Sequence, residues 1–474
     1  MADKIILFEL NEVPWRVVED FVERCPASTI AKLARHARRY ETLATDTSLS
    51  PWITWPTLHR GVGDEEHTIS DFNQDLSEID RAYPPIWQLL ARQGVPTGVF
   101  GSLHSYPLPN DLNQYKFYVP DVFASGSECF PQRVEAFQDF NLTMSRASAR
   151  NVSSKVPWGK ALRMLAGAPG LGLKPKTLLN VGLQVLDERR RRWVKARRRT
   201  HQVLLAFDVF MKQLRKTQPA FATFFTNHVA SSLHRYWAAK YPHDYQHFGY
   251  DASWVQTFCN EIDWVMGWAD AMLSQLVAFV EKNRGYRLLI ASSMGQAATE
   301  ANVVLKQVYL KDVTRFMTAL GFADNEWETR PAMLPRVILK VRDSMSEKLE
   351  RGLATIQISD RGALPWKQLS RGVFRIHPGA LQNVVNETCT IAGRTAPFEA
   401  LGFSNEPIED AAASNAYHIP SGILLEFDPQ FSRAVQPTSQ ISTCKVAPMI
   451  LRSLNATRPD CMKQNARSAT IQAA

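Results

Sequence analysis

Two short stretches carry residue types that could do chemistry. In Ser50-Pro-Trp-Ile-Thr54-Trp-Pro56, hydroxyls stand at the start of a short helix signalled by Ser-Pro. There the first backbone N–H groups have no partner within the helix, so they favour an attacking oxygen and a bound anion. The same pattern is also an ordinary N-cap. The second stretch, RLLIASSMGQ from Arg287 to Gln296, is an apolar run that stops in Ser292, Ser293 and Met294, none of which titrates near neutral pH. Further polar side chains stand beside other apolar runs: Glu9, Asn11 and Glu12 around the first, and Asn227 and His228 after FATFFT. Glu9, His228, His234 and His418 are oxygen and nitrogen donors of the kind that hold a single zinc ion or another divalent metal. Each histidine, taken alone, reads equally as a hydrogen-bonded residue of a packed loop. Asn11, Asn227, Ser293 and Gln296 are the candidate substrate-binding groups, with Thr54, Ser50 and His418 as catalytic candidates.

These residues need a scaffold that brings them together. Runs near 4–10, 95–101, 221–226 and 287–292 have strand length, and the last three follow helical stretches. That alternation predicts an α/β fold, a mixed and mainly parallel sheet flanked by helices. In such a sheet the carboxyl ends of the strands open on one crevice, which is where the polar residues above fall. The rhythm breaks twice. The expected organisation is a core of 1–140, 217–300 and 411–464, a basic helical insertion at 141–216, and a cap at 301–410.

Composition sets outer bounds. The chain has 474 residues, with 45% apolar and 21% charged residues, the balance of a globular protein with a large core. No apolar run reaches the ~18 residues of a membrane span. The opening MADKIILFEL passes directly into a strand-like run, so a secretory leader is not expected. Six scattered cysteines with no C-x-x-C pair suit reduced thiols, hence a cytoplasmic setting. The net charge of +9 is concentrated: residues 151–216 hold 16 Lys and Arg against three acids. Within them, Arg189–Arg199 has eight basic residues in eleven. That run reads either as a solvated helix face or as a dock for an anionic membrane surface or a polyanionic glycan, which would make the protein membrane-peripheral. No aromatic-rich RNA motif or zinc finger accompanies it, so specific nucleic-acid binding is not expected.

Several motifs, in order along the chain, resemble the alkaline-phosphatase superfamily, most closely its type I phosphodiesterase and nucleotide-pyrophosphatase branch. Pro51-Trp-Ile-Thr54-Trp-Pro56 has the shape of the branch's P-x-x-T-x-P, and the Gly61 to His67 interval that of its following glycine and H-G-I. IWQLLARQGVPTGVFGSLHSYP, from Ile86 to Pro107, is similar to its helix–strand–Tyr-Pro element. His234-Arg-Tyr-Trp237 resembles the end of its D-x-x-x-H-x-x-G motif. His418 to Pro429, and Val446-Ala-Pro448 to Met462, resemble its last two elements. The resemblance implies an alkaline-phosphatase-like α/β fold, a Thr or Ser nucleophile, and two metal ions that bind a phosphate-type ester.

The metal set departs from that pattern. Ser293 and Met294 stand where the branch has Asp and His, Ala230 replaces another Asp, and Asn11 occupies the position of the first-strand Asp. A neutral hydroxyl and a thioether are poor zinc ligands. His234 and His418 remain. The expected function is therefore a phosphodiesterase- or phosphatase-like hydrolase or transferase with at most one metal. The alternative is a catalytically inactive relative that binds an anionic small molecule or partner. Local context selects Thr54 as nucleophile, whereas the branch's spacing back from Gly61 falls beside Ser50.

Overall fold

A computed structural model describes residues 4–71, 74–146, 156–330, 332, 334–359, 361–391, 393–430 and 438–462. Its centre is an eight-stranded sheet. Six of the strands are β1 (Lys4–Leu10), β2 (Arg38–Leu43), β3 (Thr97–Phe100), β4 (Tyr115–Val119), β5 (Phe221–Thr226) and β6 (Tyr286–Ala291). With the strands Ser421–Phe427 and Ser439–Ser442, the spatial order is Ser439–Ser442, β2, Ser421–Phe427, β6, β1, β5, β3, β4. The block β6-β1-β5-β3-β4 is parallel throughout. Only Ser421–Phe427 runs against its neighbours, β2 and β6. The sheet is thus mixed and mainly parallel, flanked by helices, as the alternation of runs predicts.

Burial on both faces explains why β1 reads as a nearly unbroken apolar run. Ile6, Phe8 and Leu10 face one core, with Phe207, Phe210, Phe224 and Leu276. Ile5 and Leu7 face the other, with Trp55, Leu58, Trp87 and Ile450. Register is fixed by this alternation: Phe8 lies opposite Phe224 on one side and Ile290 on the other, and a one-residue slip would exchange the two faces. The first core is covered by the helices Arg198–Thr217 and Glu261–Lys282. The latter buries Ile262, Val265, Met266, Ala269, Leu273 and Leu276, an apolar stripe at helical spacing. The second core is covered by the helices Pro51–Arg60, Ile86–Arg92 and Val446–Ser453.

Between Lys306 and Pro407 the chain forms small antiparallel sheets, including Trp366–Ser370, Val373–Ile376, Val337–Val341 and Trp327–Arg330 in that order. They enclose a separate apolar cluster around Leu339, Phe374 and Phe403. Among the described residues no helix is long and apolar enough to cross a membrane.

Candidate metal and ester site

Three neighbouring strands deliver the site. β1 ends at Leu10 and leads into Asn11 and Glu12, whose φ of 59° turns the chain in the left-handed region. β5 ends at Thr226 and leads through Asn227 into the helix His228–Lys240, one turn of which carries His234. β6 ends at Ala291, and after Ser292-Ser293-Met294 the strand Gly295–Ala298 pairs with Ala416–Ile419, setting Gln296 opposite His418.

Glu12 is the hub. Its Oε2 lies 3.0 Å from His234 Nε2 and 3.4 Å from His418 Nε2, and it accepts a hydrogen bond from Gln296 Nε2. Its Oε1 accepts from Asn11 Nδ2 at 2.8 Å. The opposite ring nitrogens are both committed. His234 Nδ1 donates to Ala416 O at 2.7 Å, and His418 Nδ1 donates to Leu49 O at 2.8 Å. A carbonyl only accepts, so each Nδ1 carries the proton, and each Nε2 holds either a second proton or a lone pair directed at Glu12. Burial opposes ionisation of Glu12, but the charges and hydrogen bonds of His418 and His234 outweigh it and hold the carboxyl well below the usual range. Burial likewise opposes charge on His418, and the Glu12 carboxylate overrides it, raising the imidazole above its ordinary value.

One carboxylate oxygen and two imidazole nitrogens within 4.8 Å of one another form a donor set that fits one divalent transition metal. Backbone carbonyls that fix the outer ring nitrogens are the usual support for such ligands. Among the described residues this is the one such group. Nothing equivalent stands at the β6 end, where Ser293 and Met294 are fully buried and neutral.

The hydroxyls divide differently from what local sequence context favours. Thr54 is fully buried, its Oγ1 bonded to Ser293 Oγ at 2.8 Å and donating to Ser50 O at 3.2 Å. Ser50 is the N-cap of Pro51–Arg60, partly exposed, and its side chain makes no capping bond. It adjoins Leu49, whose carbonyl holds His418. Asn11 links the parts: its Oδ1 accepts from Trp55 Nε1 at 2.7 Å and its Nδ2 donates to Asn227 Oδ1 at 2.7 Å.

Glu9 and His228 lie elsewhere. Strand alternation turns Glu9 into the second core, where Oε1 meets His59 Nε2 at 2.8 Å between the rings of Trp55 and Trp87. His228 is buried with Nδ1 on Thr226 Oγ1 at 2.5 Å, and burial lowers its pKa to about 4. Neither joins the group around Glu12. The carboxylate that does join it is three residues beyond Glu9, the first acidic side chain past the end of β1. Counting β1 in steps of two separates these two positions without a structure.

No protein-family model matches this chain, and no curated protein does. Among solved structures, murine ectonucleotide pyrophosphatase/phosphodiesterase 5 aligns over 96% of both chains at 11% identity with a TM-score of 0.40. An inactive variant of that murine protein in complex with AMP aligns over the same shares at 11% identity and a TM-score of 0.39. The human protein aligns over 96% of both chains at 12% identity and a TM-score of 0.38. Likeness of that size carries neither the chemistry nor the ligand of those proteins over to this chain.

Proposed function

We propose that the chain is a phosphodiesterase- or phosphatase-like hydrolase or transferase that acts on a phosphate-type ester with a single metal, zinc, held by Glu12, His234 and His418. The observation that carries the reading is the convergence of one buried carboxylate after β1 with two tautomer-fixed imidazoles, His234 on the helix after β5 and His418 on the strand Ala416–Ile419. When bound, the ion would act as a Lewis acid toward a phosphoryl oxygen.

The other roles belong to the protein. Ser50, uncommitted at a helix N-terminus, is the better attacking hydroxyl, because Thr54 already spends its hydroxyl on Ser293 and Ser50 O. Attack would form an O–P bond to Ser50 and release the leaving group as an alcohol, and water would then free the serine. Pro51 has no N–H and the Ile53 and Thr54 amides both donate to Ser50 O at 2.9 Å, so Pro51–Arg60 offers the phosphoryl anion the positive end of its dipole. Asn11 and Asn227 orient the floor of the site, while Ser293 and Gln296 hold Thr54 and Glu12. All six cysteines are unpaired, which supports a reducing compartment such as the cytoplasm.

A second reading, an inactive relative that binds a phosphate-type anion, is favoured by the neutral Ser293 and Met294 and by the occupied Thr54 hydroxyl. Turnover of a panel of aryl phosphodiesters and phosphomonoesters with zinc supplied separates the two. The enzyme reading expects activity that falls at least ~100-fold in Ser50→Ala and in His418→Ala while Thr54→Ser retains it. Activity that survives both losses removes Ser50 and His418 from the chemistry. No turnover, with inorganic phosphate still bound, selects the inactive relative.

A further inference from the structure

Folding consumes most of the basic run 189–199. Arg191 pairs with Asp187, Lys195 with Glu409, Arg197 with Glu261 and Arg198 with Glu188, and Arg199 donates to Ser231 Oγ. Three of these acceptors come from distant parts of the chain. The run is therefore chiefly a fastening of the insertion to the core, with Arg189, Arg190 and Arg192 left exposed.

Beside it lies a surface that charge counting does not reveal. The helix Trp158–Ala166 exposes Trp158, Leu162 and Leu165, and the helix Pro175–Asp187 exposes Leu179, Leu183 and Leu186. Both sets repeat at i, i+4, i+7, so each helix presents an apolar stripe outward. The first buries Ala161 and Met164 on its inner side, and the second packs Leu178 and Val181 against the same core. Six of the nine large hydrophobic side chains exposed among the described residues fall in this one segment, each 41–63% exposed. Scattered exposed leucines need no explanation, but a cluster of this kind marks an interaction surface.

The charges around it select the occupant. The segment's acids are all spent inside the protein: Asp187 on Arg191, Glu188 on Arg198 and Asp208 on Lys174. Arg163, Lys176, Arg189, Arg190 and Arg192 are exposed and in no ion pair among the described residues. A second copy meeting this face about a two-fold axis would bring like charges together. An anionic bilayer offers the opposite: headgroup charge for the arginines and lysine, and an acyl boundary for leucine and tryptophan. With no helix among the described residues long and apolar enough to span, such a surface would lie on the membrane.

We propose that the two helices Trp158–Ala166 and Pro175–Asp187 form an interfacial anchor that docks the protein on anionic lipid bilayers. Cosedimentation of the full chain with vesicles containing about 30% phosphatidylserine, and with pure phosphatidylcholine, tests it. Wild type should bind the anionic vesicles and lose most binding at high salt. L162S/L179S/L183S should lower the partition at least ~10-fold, since three half-exposed leucines forfeit their transfer to the acyl boundary. R189Q/R190Q/R192Q should lower it about 100-fold on anionic vesicles and leave the weak binding to neutral ones unchanged. Amide exchange across 158–186 should slow in wild type when anionic vesicles are added, a readout independent of any variant. Wild type that stays in the supernatant with every vesicle overturns the proposal. So does a folded leucine variant that binds as wild type, or a wild-type dimer that the leucine substitutions split.

Discussion

Removing the carboxylate at the hub should expose what the cluster is built for. Glu12→Gln keeps the size of the side chain and its contact with Asn11, but it deletes the carboxylate that pairs with His234 and His418. For a fully buried pair, loss of one partner costs ~3–5 kcal/mol. His234 is 23% exposed and glutamine can still hydrogen-bond, so about 2–3 kcal/mol is the reasonable size here. An unfolding entropy of roughly 2.1 cal/mol/K per residue makes about 1 kcal/mol per kelvin for a chain of this length. The metal-free variant should therefore melt about 2–3 °C lower near pH 6. Zinc at one hundred times its Kd should stabilise wild type by about 2.7 kcal/mol, hence by about 3 °C. In Glu12→Gln the same zinc concentration should move the midpoint by less than about 1 °C. Calorimetry of chelated protein near pH 6, and of chelated and zinc-loaded protein at neutral pH, reads both numbers. The segment between Lys306 and Pro407 has its own apolar cluster, so the shift belongs to the transition that melts the main sheet. A Glu12→Gln protein with the full wild-type zinc shift refutes the assignment, and two tightly bound zinc ions per wild-type chain refute the single-metal reading.

Three further outcomes follow from the same contacts. In metal-free protein the raised pKa of His418 contributes stability that is complete below its unfolded value of about 6.5 and is lost as pH rises through the higher folded value. The depressed Glu12 contributes above its unfolded value of about 4.3, and that is lost as pH falls through the folded value, so the pair contributes most between these limits. Melting curves of His418→Gln across pH should be flatter than those of wild type, and parallel curves would contradict the linkage. Thr54→Val should cost about 1–3 kcal/mol by stranding the buried Ser293 hydroxyl, whereas Ser50→Ala should cost under ~0.5 kcal/mol because no capping bond is lost. Urea midpoints in the reverse order would reverse our division of roles between the two hydroxyls. Arg198→Gln should cost about 3 kcal/mol by leaving Glu188 buried and unpaired, while glutamine at Arg189, Arg190 and Arg192 should stay within ~0.5 kcal/mol.

The sheet was legible because strands buried on both faces announce themselves as apolar runs, and KIILFEL, FATFFT and RLLIAS all became strands of one parallel block. The reversal of Ser421–Phe427 was not, since a buried strand reads the same in either direction. His234 and His418 could be named from motif spacing, and the structure places both beside a carboxylate. Choosing Glu9 as that carboxylate passed over the period of two that carries it inward with Ile5 and Leu7. The arginine run was legible only in part, for a different reason. A local charge count cannot see Glu261 or Glu409, which reach Arg197 and Lys195 only after folding. The uncovered leucine faces were hidden likewise, because amphipathic spacing tells that a helix has an apolar side and not whether anything covers it.

The polar but non-titrating end of β6 acquires a purpose in this arrangement. Glu12 adopts φ 59°, a conformation that costs an L-residue with a Cβ roughly 1–2 kcal/mol and persists only where its surroundings impose it. Ser292 supplies that constraint from both sides of the turn. Its Oγ donates to Leu10 O and accepts from Val13 N at 3.1 Å, clamping the residues that bracket Asn11 and Glu12. Its own carbonyl is tied down by Thr42 Oγ1 at 2.6 Å, and Asn11 N bonds Thr226 O at 3.1 Å. An aspartate or histidine at 292 would add charge beside Glu12 and could not replace both bonds with one small hydroxyl. The strand that holds no metal-binding side chain at its tip is therefore the one that fixes the backbone on which the carboxylate stands. β1 leads into Glu12, the helix after β5 carries His234, the strand Ala416–Ile419 carries His418, and β6 holds the turn that aims the carboxylate.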